Sequence, residues 1–200
     1  VIKAYRHRTA NKLFHRVRRR DLKLHEWQRW LATLPASVRI EPSSKLQRRI
    51  QRLADREPFC FKDPRFSYTL GIWRPLVRNT VFICVFRHPA VTASSIITEC
   101  RTADYLRDVA MNTGRALRIW EHMYRYILEV HSPAGGEWRF VHYDQVMNGS
   151  ALGRIEQALE TRLDGGFADP DLRRSKAVGE APPRILALYD RLCRLAGYAD

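Results

Sequence analysis

The chain changes hydrophobic rhythm several times along its length. In residues 1 to 35, Leu24, Trp27, Trp30, Leu31 and Leu34 recur at helical spacing, which predicts an amphipathic helix with one docking face, closed by Pro35. Pro42-Ser43-Ser44 is a start signal and predicts a second helix from Lys45 to Ala54. Phe59 to Lys62 is a short apolar run ending in a charge and predicts a buried strand, broken by Pro64; Ser67 to Trp73 predicts a short helix. Thr80 to Phe86 gives the clearest strand, continuous, apolar and partly β-branched, as a central parallel strand is. Pro89 to Cys100 reads as helix. Residues 103 to 130 predict the longest one, with Leu117, Trp120, Met123, Tyr124, Ile127 and Leu128 in an i, i+3, i+4, i+7 stripe that reads as core. Pro133, Gly135 and Gly136 end it. Trp138 to Val141 predicts a third strand running into His142-Tyr143-Asp144, and helices follow at Ser150–Thr161 and Pro183–Ala196, with Asp169-Pro170 and Arg173-Arg174-Ser175 between them.

Strands separated by long helices predict an α/β layered fold with a largely parallel sheet. The 200 residues suffice for one domain, with a basic helical part at 1–56 and an α/β core at 57–200. In such sheets ligands bind beyond the carboxyl ends of the strands. Three predicted strands end in polar groups: Lys62-Asp63, Arg87-His88 and Tyr143-Asp144. Their convergence would make a cleft suited to an anionic nucleotide.

Charge adds a second theme. The net charge is +14, and much of it falls in residues 6 to 23. A polyanionic partner (nucleic acid, an acidic glycan or a phosphorylated ligand) is one reading, and a solvated Arg-rich helical face is the other. The cysteines, Cys60, Cys84, Cys100 and Cys193, have no metal or redox spacing. Cys60 and Cys84 fall in predicted buried strands, as reduced core residues fitting a reducing compartment. The histidines include no HxxxH or HExxH pair, so no metal site is expected. No apolar run approaches a membrane span, and no signal-peptide core is present, so a cytoplasmic location is expected.

The segment TVFICVFRHPAVTASSI places Arg87 at a strand end, Pro89 two positions on and Ser95 eight positions after the arginine. With KDPRF at Lys62 to Phe66 and the later WRFVHYDQV, it resembles the PAPS-dependent sulfotransferases, bacterial members in particular (PAPS is 3′-phosphoadenosine 5′-phosphosulfate). LRRS followed by ALYDRLCRLAGY is similar to the family's ending. The resemblance covers about residues 55 to 198 and is strongest from 59 to 99. It implies a P-loop-NTPase-like three-layer fold around a central, mainly parallel sheet, and transfer of a sulfuryl group from PAPS to a hydroxyl acceptor, a carbohydrate or glycolipid, with adenosine 3′,5′-bisphosphate released. It further implies that Arg87 and Ser95 bind the 3′-phosphate, that Tyr143 packs near the adenine, and that Arg173 or Arg174 closes over the 3′-phosphate. A guanidinium offers phosphate a fork of donors, which suits Arg87 to that part.

The chain departs from the family in one respect. The Gly-rich loop that holds the 5′-phosphosulfate has no counterpart before Phe59. With Val rather than Met at position 1, the expectation is an N-terminally incomplete chain, whose first strand, loop and helix lie upstream; the alternative is a degenerate homologue unable to transfer sulfate. Lys62 and Arg65 are the candidate catalytic cations. Some branches carry a base, His, two residues after that lysine; here the position is Pro64, which leaves Asp63 as candidate base, against a plain cap or an ion pair with Arg65. Ser94 and His88 are weaker candidates, as a bond to the preceding helical turn and a loop residue respectively. Two rivals stand beside this reading. One is a non-catalytic module binding nucleic acid through the basic N-terminal third, with Tyr5, Phe14, Trp27 and Trp30 interleaved. The other is a P-loop kinase relative, disfavoured by the same missing loop. The acceptor and the oligomeric state are not encoded in any motif.

Overall fold

The computed structural model of the protein describes residues 28–106, 109–167 and 179–199. In chain order these form α1 (Gln28–Leu31), α2 (Ser44–Ala54), α3 (Phe66–Trp73) and β1 (Val81–Phe86). After them come α4 (Pro89–Thr102), α5 (Thr113–Tyr126), β2 (Glu137–His142), α6 (Tyr143–Met147), α7 (Leu152–Leu159) and α8 (Pro183–Ala196). The fold is mixed α/β: helices predominate, and the described strands make one two-stranded parallel sheet. No helix among the described residues is long and apolar enough to cross a membrane. The chain divides into two compact units.

The first unit holds residues 28–79 and His122–Pro133. Its core gathers Leu34, Tyr68 and Tyr126, with Val38, Ile40, Met123 and Val130 against them. Two polar ties join segments remote in sequence: His122 Nδ1 lies 3.2 Å from the carbonyl oxygen of Leu34, and the Tyr126 hydroxyl donates to the carbonyl of Val38. Ser43 caps α2 by accepting from the Leu46 N–H, as the start signal predicts. The predicted strand at Phe59 to Lys62 is irregular chain instead, with Cys60, Phe61 and Lys62 exposed. Pro58 and Pro64 bracket the run and remove ladder donors. Its rings find partners without a sheet: Phe59 stacks on Phe61 at 5.0 Å, and Phe61 and Phe66 each meet Trp73 at 5.2 Å. Cys60 is therefore a surface thiol, not a core residue.

The second unit holds residues 80–121 and 134–199 among those described. β1 and β2 pair in parallel from Val81↔Glu137 to Phe86↔His142, so a long crossover, which contains α4 and α5, joins them. Phe86, Phe140 and Val141 are buried, and Ala151, Ile155, Val146 and Leu163 pack around Val141. α8 turns Ile185, Leu188, Tyr189, Leu192 and Cys193 into the core. The expected two-sided burial of β1 is not met: Ile83 is 39% and Val85 47% exposed. The apolar run marks a strand but does not report how many neighbours cover it. Cys84, on the covered face, is buried, and its thiol is pushed up to about 12 by that burial.

The predicted helix over 103–130 is shorter at its start. Ala103 is extended and ends α4, and α5 begins at Thr113, where Asn112 Oδ1 accepts from the Arg115 N–H at 2.9 Å. Beyond Tyr126 the helix widens into a π turn over Ile127–His131. Similarly, α7 spans only Leu152–Leu159, because Glu160 takes a left-handed conformation (φ 50°). The basic segment up to residue 27 lies outside the described residues, as does the loop carrying Arg173 and Arg174.

Candidate functional site

The register of the sheet determines what meets at its carboxyl edge. Phe86 and His142 are partners, so the residues that follow them, Arg87 and Tyr143, leave the sheet side by side. The Arg87 guanidinium carbon sits 4.5 Å from the centre of the Tyr143 ring, within cation–π range. Two residues 56 positions apart, both singled out from the sequence, are thus in contact. Arg87 is held at its backbone as well: its carbonyl accepts from the Trp120 indole N–H at 3.2 Å. Both strands then turn directly into helices. His88 caps α4, its Nδ1 accepting from the Ala90 N–H at 3.3 Å, and Pro89 takes the first helical position, where a missing N–H costs nothing.

On β2, His142 caps α6 in a reciprocal box. Its Nδ1 accepts from the Asp144 N–H at 3.2 Å, and its own N–H donates to Gln145 Oε1 at 3.0 Å. With Nδ1 an acceptor, the neutral ring carries its hydrogen on Nε2, which lies 3.2 Å from the Tyr189 hydroxyl. Tyr189 packs edge-on against His88, Phe86 and His142. Tyr198 stacks flat on His142, with centroids 3.8 Å apart, and its hydroxyl donates to Asp144 Oδ2 at 3.2 Å. The edge is therefore a basic and aromatic surface backed by buried polar side chains.

Ser95 is exposed and Ser94 half-buried in the second turn of α4. The Arg174 expectation falls outside the described residues.

The other candidates belong to the first unit. Asp63 folds back on the next turn. It accepts from the Arg65 N–H at 2.8 Å and forms an ion pair with the Arg65 guanidinium, Nε lying 2.7 Å from Oδ1. Partial burial raises the Asp63 pKa, but the bonds from Arg65 and the charges of Arg65 and Lys62 outweigh it, and the carboxyl titrates below its ordinary value. Arg65 is correspondingly raised by its bond to Asp63. A carboxylate so held is a weak proton acceptor. Lys62 is exposed.

Comparison of the chain with protein-family models, curated proteins and solved structures finds no match.

Among the described residues no group of three or more His, Cys, Asp or Glu side chains gathers as a metal would require. The sequence signalled Arg87 and Tyr143 through strand ends. It did not signal His142, Gln145, Tyr189 and Tyr198, which reach the same edge. The apolar spacing of α8 is a signal that could have turned Tyr189 inward, and nothing in the pattern foretold that Tyr198 folds back onto His142.

Proposed function

We propose that the sheet edge formed by Arg87 and Tyr143 binds the 3′-phosphate and adenine of an adenosine nucleotide, and that the chain is a sulfotransferase-like protein acting with PAPS on a hydroxylated acceptor. The observation that carries the reading is the contact of the Arg87 guanidinium with the Tyr143 ring at the carboxyl edge of two parallel strands. Stacking engages the face of a guanidinium, whereas phosphate is held by its edge, so one side chain serves both purposes. The small parallel sheet is read as part of a three-layer, P-loop-like fold; the apolar Ile83 and Val85 on the exposed face of β1 support a further layer over that face.

In this reading Ser95, from the second turn of α4, adds a hydroxyl to the phosphate. The sulfotransferase reading also gives Lys62 and Arg65, in the first unit, the part of catalytic cations. Asp63, kept ionised by Arg65, orients that guanidinium and is a poor candidate for deprotonating the acceptor.

Titration of the protein with adenosine 3′,5′-bisphosphate tests the reading. Arg87→Ala should weaken binding by about tenfold or more, the loss of a charge-assisted bidentate contact. Unchanged affinity would overturn the assignment. The net charge of +14 favours a second reading, a polyanion-binding module. In that case affinity would fall steeply with salt and ignore the position of the phosphate on the ribose.

A further inference from the structure

We infer that Tyr198 is a positioning residue for this edge: the segment after α8 is a clamp that sets the turn carrying Tyr143, and through it the orientation of Arg87. The inference rests on the nucleotide reading above and adds a device to it.

The clamp begins with Gly197. It ends α8 at φ 58°, a left-handed conformation that glycine adopts without steric cost. The reversal lets the Tyr198 N–H bond to the carbonyl of Cys193 at 2.9 Å, and it carries the Tyr198 ring back over His142. From there the turn at residues 142–145 is gripped at three points. The Tyr198 ring stacks on His142, the Tyr198 hydroxyl donates to Asp144, and Gln145 Nε2 donates to the carbonyls of Ala196 and Gly197 at 3.2 and 3.4 Å. The remaining side of His142 is closed by the Tyr189 hydroxyl and by the Phe86 ring at 5.2 Å.

Within that turn the Tyr143 ring lies against the Arg87 guanidinium. Its neighbours on either side, His142 and Asp144, are the ones the clamp holds. A short helix of five residues, α6, has little stability of its own, so its position depends on such tertiary ties. Releasing them lets Tyr143 leave the guanidinium. Arg87 then keeps its charge but loses the platform that fixes its edge toward a phosphate.

The test compares adenosine 3′-phosphate, adenosine 5′-phosphate and adenosine as ligands of the wild-type chain, Tyr198→Phe and Tyr198→Ala. Tyr198→Phe keeps the stack and removes the bond to Asp144; about a fivefold loss of affinity for adenosine 3′-phosphate is expected. Tyr198→Ala removes both, and the expected loss is about tenfold or more. Adenosine and adenosine 5′-phosphate, which do not use the held edge of Arg87, should lose affinity by a clearly smaller factor, through Tyr143 alone. That selectivity separates positioning from general loosening, which would weaken all three ligands alike. Tyr198 is only half-buried, so the variants should fold, and near-ultraviolet circular dichroism checks that they do. Two failures are distinguishable. A wild-type chain that does not prefer the 3′-phosphate refutes the nucleotide reading. A wild-type preference that survives in Tyr198→Ala refutes the clamp.

Discussion

Acid should loosen the first unit through His131. This side chain is 3% exposed at the end of the π turn. Burial, together with the charge of Arg74, lowers its pKa to about 4 from an ordinary 6.5, while a bond to the Ser67 backbone pulls weakly the other way. Arg74 is fixed there because its guanidinium donates to the His131 carbonyl, and the Tyr126 ring lies 5.1 Å from the imidazole. The folded unit therefore holds a neutral imidazole, whereas the unfolded chain binds a proton below about 6.5. The sign follows: this contribution is fully present above pH 6.5, is lost as pH falls toward 4, and levels off below. A shift of this size is worth about 3 kcal/mol in all, of which about 2 kcal/mol is lost between pH 7 and 4.5. Urea unfolding at the two pH values measures it. With an ordinary slope, the wild-type midpoint should drop by about 1 M more than that of His131→Phe, which keeps a ring and cannot titrate. Equal acid losses in the two proteins would refute the account of His131. Arg74→Met removes a charge that helps depress the imidazole, so the acid loss should become smaller and level off at a higher pH.

Other expectations are simpler. A thiol reagent should label Cys60 quickly in the native protein and Cys84 only on unfolding, since one is exposed and the other buried with its thiol raised to about 12; fast labelling of Cys84, read by mass spectrometry, would contradict the packing of β1. Gly197→Ala forces a side chain into φ 58° with no steric neighbour to blame, so it should cost about 1 kcal/mol through the backbone alone in denaturant melts. Gln145→Leu removes the reciprocal cap of α6 and two bonds to the end of α8, and should lower stability by about 1–3 kcal/mol.

How legible the molecule was depended on the kind of signal. The periodic helices were clear: Pro183–Ala196 has the same bounds in pattern and structure, and α2 begins at the serine cap that announced it. β1 and β2 were visible as apolar runs with charged or polar ends, and Arg87 and Tyr143 as those ends. Phe59 to Lys62 misled because a run of three apolar residues carries no period; flanking prolines and ring-on-ring contacts decided its conformation. The start of α5 was hidden because Asn112 is one polar residue among several, and it becomes a cap only where Ala103 has already broken the chain. The partners of His142 were illegible because they are long-range. Tyr189 and Tyr198 lie 47 and 56 residues away, and their approach follows from the packing of α8 on the sheet.

The most direct measurement is a crystal structure of the chain soaked with adenosine 3′,5′-bisphosphate. The account predicts the 3′-phosphate on the edge of the Arg87 guanidinium, with Tyr143 against the adenosine side of the site. A nucleotide bound elsewhere, or a 3′-phosphate that does not touch Arg87, would contradict it.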